Sequence, residues 1–477
     1  MSRPSGAADG TLGAASAVAA SSGAGSASRA AFELLASDGS ARRGHITTAR
    51  GTIQTPVFMP VGTRGAVIHL DATDYEHLGL AVVLANTYHL LARPGVEVVE
   101  SLGGLHKFTG WDGHFLTDSG GFQIMSLGRR PGGGDQHSRR PGGGDQHSRR
   151  PGGGDQHSRR PGGGDQHSRR PGGGDQHSRR PGGGDQHSRR PGGAGTSPQD
   201  AKSKVDDEGV TFRSTYDGTR MRLTPEGAVD AQRRLGSDIQ MALDVCPELP
   251  APPAEIRLAT ERTHLWAARA ASAMDDARRR GTAGGQALFG ICQGGIDPGL
   301  RRSSAETLAS IGFDGYGIGG LSVGESRGEM GPALRAATDV LPVEKPRYLM
   351  GVGDPARIVD AIAAGVDMFD CVLPSRLGRH GTALTPQGRI NIRNARFARD
   401  LTPLDPRPVA GDGRPQPGAR FSRGYLRHLM SVNEPTASRI LTLHNIAFLN
   451  DLVADARAAI EAGQFGAFRE RVNEVWR

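Results

Sequence analysis

The chain has 477 residues, 23% of them charged, and a formal net charge of +8. That length suits one large domain with an appendage, or two to three ordinary ones, and three scattered cysteines, Cys246, Cys292 and Cys371, exclude a disulfide framework and point to a reducing compartment. The charge surplus identifies no partner, because the stretch from Arg129 to Arg190 holds fourteen Arg and six Asp and so carries all eight excess charges; recognition of an anion must rest on where basic residues stand locally.

Residues 1–30 are mostly Ala, Ser and Gly. They hold too few large apolar side chains to offset chain entropy, and a disordered tail is expected. They also lack the charged-then-apolar pattern of a leader, and no apolar run approaches the roughly 18 residues of a membrane span. The protein is expected in the cytoplasm, with no membrane partner.

From Ala31 onward, apolar runs that each end in polar or Gly-rich residues appear at 52–62, 81–91, 114–120, 238–246, 287–295, 315–324, 347–353 and 368–374. Between most of them lie helical spacings with Pro-containing starts, as at Thr224-Pro225-Glu226, Asp297-Pro298 and Asp354-Pro355. Eight strand-like runs alternating with helices predict an α/β fold, a (β/α)8 TIM barrel whose active site lies at the carboxyl ends of the strands; a doubly wound open sheet is the alternative. A first part of the barrel is assigned to 31–128 and the rest to 204–395, followed by a C-terminal subdomain over 396–477. Between the two barrel parts, 129–203 carry the ten-residue unit RRPGGGDQHS, in six full copies with histidines from His137 to His187. With no apolar residue the unit cannot build a core, and a disordered insertion is expected. Val210–Leu223, alternating around Asp217-Gly218, predicts a β-hairpin over one end of the barrel.

The chemistry should then lie where each run stops. The third ends in DSGGFQ, with Asp118, Ser119, Gly120, Gly121 and Phe122; the glycines let backbone N–H groups approach a ligand, although Asp118 also suits an Asx-turn. The fourth ends in ALDVCP, with Asp244 and Cys246, and the fifth in GICQGG, with Gln293. The sixth ends in GIGGLSVGE, with Gly319 and Gly320, and the seventh in YLMGVG, with Met350. A carboxylate, an amide and exposed backbone around an apolar slot suit the edge of a purine-like base, with Met350 or Phe122 against its face. The eighth, MFDCVLPSRLGR, delivers Asp370 and then Arg376 and Arg379, expected on a loop and suited to phosphate. A capping role for Asp370 and solvation of the two arginines is the plain alternative. Asp118 and Asp370 remain as two carboxylates for one site, a pair that permits double displacement at a glycosidic carbon, one attacking the sugar and the other handling the proton of the base.

The motifs TPVFMPVGT, LANTYHLLARPG, LTDSGGFQIMSL, EGVTFRS, ALDVCP, FDGYGIGGLSVGE, YLMGVG, MFDCVLPSR, INIRNARF and LTPLDP, in that order, resemble the bacterial tRNA-guanine transglycosylase family, the queuine tRNA-ribosyltransferases. The resemblance runs from about Phe32 to the C-terminus, apart from the RRPGGGDQHS array. It implies exchange of the wobble guanine of tRNAs with G-U-N anticodons for a 7-deazaguanine, preQ1 in bacteria, within queuosine biosynthesis. It implies Asp370 as nucleophile, through a covalent enzyme–RNA intermediate, and Asp118 as general acid/base. Phe122 matches the ring that stacks on the base; Asp244, Gln293 and Gly320 match the base-recognition positions, with Ser119, Gly120, Gly121, Cys246, Gly319, Leu321 and Met350 around them. Gly351, Val352, Gly353, Asp354, Pro355, Ala356 and Arg357, and Ser375, Arg376, Leu377, Gly378 and Arg379, match segments that contact RNA. A homodimer is implied as well.

One departure bears on the cofactor. The family carries a CxCxxC cluster after LTPLD and a later His, together holding a structural zinc. Here the stretch DPRPVAGDGRPQPGARFSRGYLRHL has no cysteine, and only His444 stands at a ligand position. Asp405, Asp412 and His428 lack ligand-like spacing, so tight zinc binding is not expected. Two further readings follow from the departures: a catalytically weakened tRNA-binding partner subunit, and a transglycosylase acting on DNA. Intact Asp118 and Asp370 weigh against the first, and SRLGR with INIRNARF against the second.

Overall fold

The computed structural model describes residues 30–127, 203–322 and 324–476. The N-terminal Ala/Ser/Gly segment and the RRPGGGDQHS array lie outside the described residues.

The first three strands, β1 (Ala31–Asp38), β2 (Ala41–Thr48) and β3 (Gly51–Thr55), form an antiparallel sheet whose Ile46 and Ile53 are completely buried. The sequence reading missed β1 and β2 and ran β3 into the first barrel strand. Pro56 separates the two: lacking an N–H, it cannot continue the ladder, and β4 (Val57–Pro60) starts a different sheet. The barrel continues with β5 (Val82–Asn86) and β6 (His114–Asp118). A separate antiparallel sheet follows, made of β7 (Lys204–Asp206), β8 (Gly209–Arg213) and β9 (Arg220–Leu223), in which Val210 pairs with Leu223 and Arg213 with Arg220. The chain then returns to the barrel with β10 (Ile239–Met241), β11 (Ala287–Cys292), β12 (Gly315–Ile318), β13 (Arg347–Leu349) and β14 (Met368–Cys371).

The parallel order β4-β14-β13-β12-β11-β10-β6-β5 is closed by a bridge between Val61 and Leu84, with the Gly62 N–H donating to the Leu84 carbonyl at 2.7 Å. This closure establishes the expected eight-stranded barrel and excludes the open sheet. Alternation then sorts side chains in and out. Val57, Met59, Leu84, Leu116, Met241, Phe289, Ile291, Tyr348 and Met368 share one interior cluster, whereas Phe58, Leu288, Leu349 and Phe369 pack outward with the helices. Asp118 stands two residues beyond Leu116 and Asp370 two beyond Met368, so the same period aims both carboxylates inward at the carboxyl end.

Helices Pro225–Leu235, Pro298–Ile311 and Pro355–Ile362 begin on side-chain caps from Thr224, Asp297 and Asp354, each with proline in the first turn, where its missing N–H costs nothing. Beyond the barrel, β15 (Thr382–Thr385) and β16 (Gly388–Asn391) pair antiparallel, and helix Arg423–Ser431 precedes the 27-residue helix Pro435–Glu461. That long helix buries Ile446 and Ala447 in one outer cluster and Phe448, Leu449, Leu452 and Val453 in another, fastening the C-terminal elements to the barrel. At the amino end, the fully buried Asp367 carboxylate lies 3.2 Å from the Arg42 guanidinium of β2 and accepts the Arg347 N–H at 2.8 Å. The cap sheet is thereby tied to β13 and β14.

Candidate active site

Asp118, at the end of β6, is held from the neighbouring strand. Its Oδ2 accepts from Asn86 Nδ2 at 2.6 Å and from Gln123 Nε2 at 3.0 Å, and its Oδ1 accepts from the Thr87 N–H at 3.1 Å. Thr87 Oγ1 also donates to the Asp118 carbonyl. Asn86 caps helix Thr87–Ala92, so the turn that ends β5 also fixes the carboxylate of β6. Burial, and then the neighbouring Asp370 charge, push the Asp118 carboxyl from its ordinary 3.8 up to about 7, against the pull of its donors.

Asp370, at the end of β14, receives two donors on one oxygen: Tyr348 Oη at 2.6 Å and the Gly351 N–H at 2.7 Å. Burial raises its carboxyl, and the Tyr348 hydroxyl pulls it back down. Tyr348 is completely buried inside the barrel. Its own ionisation is pushed well above the ordinary tyrosine value, by burial and then by the Asp370 charge, which keeps it a proton donor to the carboxylate.

Beside the acids lies a second polar group. Gln293 Nε2 donates to Asp244 Oδ2 at 2.6 Å, both residues buried. Burial pushes the Asp244 carboxyl up to about 6 and, with the Asp244 charge, the Cys246 thiol up to about 12, so Cys246 stays a neutral wall. The glycines here are demanded by close approach. A Cβ on Gly319 would stand 2.7 Å from Gln293 Nε2, and one on Gly320, whose φ is +65°, would collide with Gln293 Oε1. Gly121 approaches the Asp244 carbonyl in the same way, its Cβ position lying 2.9 Å away, and its N–H donates to Ser119 Oγ at 3.3 Å. Gly120 takes a φ of +80° against the Tyr88 backbone. Leu321 is buried, Met350 joins the interior cluster, and Phe122 is 41% exposed at the mouth. Backbone hydrogen bonds run from the Gly319 N–H to the Cys292 carbonyl and from the Met350 N–H to the Ile318 carbonyl. Two buried acids at β6 and β14 and an acid–amide pair at β10 and β11 thus face the carboxyl end of one barrel.

The two segments matched to RNA contacts divide by burial. Val352, Gly353, Pro355, Ala356, Ser375 and Gly378 are interior; a Cβ on Gly378 would meet Thr442 Oγ1 at 2.7 Å, marking it as a packing glycine against the long helix. Gly351, Asp354, Arg357, Arg376, Leu377 and Arg379 have solvent access. Asp354 caps its helix and pairs with Arg389 at 2.7 Å, and Arg357 lies 3.5 Å from Glu325. Arg376 and Arg379, expected on a loop, stand on a short helix, Leu373–Arg379. Pro374 falls in its first turn, where proline favours a helix start rather than preventing one.

The residues present do not fit a zinc ion. The buried His444 directs Nε2 to the Leu384 carbonyl at 2.7 Å, and its Nδ1, without a hydrogen-bond partner, faces Gly418, whose Cβ position lies 2.7 Å away. Asp405, the nearest acid in that loop, is engaged by Arg407 at 2.9 Å; Arg407 also reaches Asp451 at 3.2 Å, and Gln416 donates to Asp451 at 2.6 Å. No group of three His, Cys, Asp or Glu side chains with ligand geometry exists among the described residues. Asp412 pairs with Arg414, and His428 lies on helix Arg423–Ser431.

Sequence reasoning overlooked Asn86, Thr87, Gln123 and Tyr348. Asn86 and Thr87 stand where β5 gives way to a helix, inside the run read from the sequence as 81–91, and so did not stand out as its end. Tyr348 is found by counting back two from Met350 along an inward-facing period. Gln123 carries no such signal.

A family model described as queuine tRNA-ribosyltransferase matches residues 37–137 and 191–477, passing over most of the repeat array. Proteins named queuine tRNA-ribosyltransferase are similar over almost the whole chain. That of Herpetosiphon aurantiacus is 40% identical over 439 residues, 92% of this chain and 91% of its own. That of Rhizobium meliloti is 41% identical over 93% of this chain and 96% of its own, and that of Zymomonas mobilis 40% identical over 93% and 94%.

Proposed function

This chain belongs to the queuine tRNA-ribosyltransferase family, and on that premise we propose how its residues exchange a tRNA guanine for a 7-deazaguanine by double displacement. It is a glycosyltransferase of the pentosyl-transferring class, acting in queuosine biosynthesis. The observation that carries the assignment of roles is geometric: both donors to Asp370 meet its Oδ1, leaving Oδ2 for attack, whereas donors meet both oxygens of Asp118. Burial and the Asp370 charge, which raise the Asp118 carboxyl, agree with a proton held on Asp118.

An Asp370 oxygen attacks the ribose anomeric carbon as the bond to guanine breaks, and the Asp118 proton passes to the departing base. Asp118 is left a carboxylate. It then takes the ring-nitrogen proton of the incoming base, which attacks the same carbon and releases Asp370. Two displacements at one carbon retain configuration. The Asp244 carboxylate accepts from the N–H groups of the base edge, the Gln293 amide and Gly320 backbone meet its carbonyl, and Met350 and Phe122 flank its faces. Arg376 and Arg379 take phosphates next to the extruded nucleotide.

The finer parts of this reading are a G-U-N anticodon loop as polymer, preQ1 as incoming base, action in the cytoplasm, and a homodimer. No step passes through a metal. The decisive experiment is incorporation of radiolabelled guanine into a G-U-N tRNA, with denaturing electrophoresis to detect an enzyme–RNA adduct. The parent protein should exchange and form the adduct, and Asp370→Asn should do neither; exchange by Asp370→Asn would overturn the assignment.

A further inference from the structure

At the carboxyl end of the barrel the hairpin joining β8 to β9 carries Tyr216 at its tip, and two exposed arginines converge on that ring. The Arg64 guanidinium carbon lies 5.5 Å from the ring centroid and that of Arg93 lies 5.4 Å from it. Arg64 Nε donates to Tyr216 Oη at 3.0 Å, and His89 Nδ1 lies 2.8 Å from the same oxygen. Tyr88 Oη accepts the Thr215 N–H at 3.0 Å and lies 2.8 Å from its hydroxyl, pinning the tip from below. Neither arginine pairs with a carboxylate among the described residues. The hairpin's Arg222, by contrast, is 2.8 Å from Asp206. Arg64 spends its Nε–H on the tyrosine hydroxyl and keeps its terminal N–H groups for another acceptor, and Arg93 meets the same ring with its guanidinium; terminal guanidinium N–H groups suit a phosphate.

The position of this cluster is set by the same turn that holds Asp118. Asn86 and Thr87 bond the carboxylate, Tyr88 and His89 bond the hairpin tip, and Arg93 follows the helix they begin. The six helical residues Thr87–Ala92 separate Asn86 from Arg93, a rise of about 10 Å from one to the other. Arg64 lies on the segment after β4, which also carries His69, whose imidazole is lowered by burial and by the nearby Arg379. In barrel order β13, β14, β4 and β5 are consecutive once the barrel closes. Arg357, then Arg376 and Arg379, then Arg64, then Arg93 therefore follow one another along one arc of the rim.

We propose that Arg64 and Arg93, oriented by Tyr216, form a second phosphate-binding site for the RNA strand, extending the track of Arg376 and Arg379 past the reacting nucleotide. The ligand is the sugar–phosphate backbone of single-stranded RNA flanking the extruded base. The two arginines bind it, and Tyr216 is a positioning residue. The inference rests on the tRNA-modifying reading of the site.

The test measures tRNA binding by the full-length protein as a function of salt, together with steady-state guanine exchange. The proteins compared are the parent, the double variant Arg64→Gln/Arg93→Gln, Tyr216→Ala, and the control Arg302→Gln, an exposed arginine on the helix after β11. Loss of two phosphate contacts to a single strand should reduce the slope of log affinity against log salt by about 1.4. It should raise KM for tRNA by about tenfold, with KM for guanine unchanged. Tyr216→Ala should move the slope in the same direction while thermal unfolding stays cooperative, and Arg302→Gln should leave the slope alone. An unchanged slope in the double variant, or an equal change in Arg302→Gln, would overturn the site. If the parent binds tRNA but exchanges no guanine, the catalytic reading falls and the slopes still decide this one; if it binds no tRNA, both fall.

Discussion

Asp118 and Asp370 have the same chemistry and are proposed for opposite tasks, and the difference lies in what surrounds each. Asp370 keeps its charge with a phenol donor from Tyr348 and a backbone donor from Gly351. A hydrogen bond to a charged group contributes about 1.5–3 kcal/mol, so Tyr348→Phe should lower kcat at least tenfold with KM for tRNA little changed, as measured by guanine exchange. Asp118, proposed to act first as an acid, is pushed up to about 7. The pH profile of kcat/KM should therefore fall on its alkaline side near 7, as the proton needed by the departing base is lost. Gln123 donates to the ionised form and lowers this value, so Gln123→Met should move the alkaline limb to higher pH; a limb that stays fixed would assign it to another group. At this scale the sequence showed both acids, because each ends an apolar run. Tyr348 was hidden within such a run, its role set by contact with a residue on the next strand.

Among the elements, the loop between Leu401 and Ser422 is where the chain parts from its relatives' expected zinc site. Arg407 bridges Asp405, which is almost wholly buried, to Asp451 of the long helix, and Gln416 completes the tie. This ion cluster joins the loop to the helix through charge-assisted hydrogen bonds. Treatment with a chelator should leave the melting temperature and guanine exchange unchanged. Asp405→Ala, which leaves Arg407 with Asp451 alone, should lower the melting temperature by differential scanning calorimetry. A chelator-sensitive melt would refute the metal-free account. The missing cysteines were legible in the sequence. The replacement was not, since Asp405 and Asp451 are 46 positions apart and meet only because the helix passes beneath the loop. The short helix Leu373–Arg379 was likewise misread as a loop, although its proline fits a helix's first turn as well as a break.

Over the whole molecule, the amino end of the barrel depends on one buried acid. Asp367 neutralises Arg42 of the cap sheet and lies beside Arg347 of β13; burial pushes its carboxyl up to about 6, and burial and then the Arg42 charge pull Arg347 down to about 10. Asp367→Ala would leave two buried guanidiniums without their counter-charge and should cost about 3–5 kcal/mol, read as a lower denaturant midpoint. The linkage has a definite sign. Asp118, Asp244 and Asp367 all titrate higher in the fold than in the unfolded chain. The fold holds their protons more tightly, and stability from these groups is lost as pH rises from about 4 towards 7. The sequence by itself determined the barrel, because eight apolar runs of strand length alternating with helices have few ways to bury both faces of a parallel sheet. It also placed two candidate acids together, because polar residues that end such runs must emerge at one rim. Only the tertiary structure set the proton affinities of the acids. Proton affinities depend on burial and on charges brought close by barrel closure, and closure likewise brings β14, β4 and β5 together so that arginines far apart in the chain share one rim.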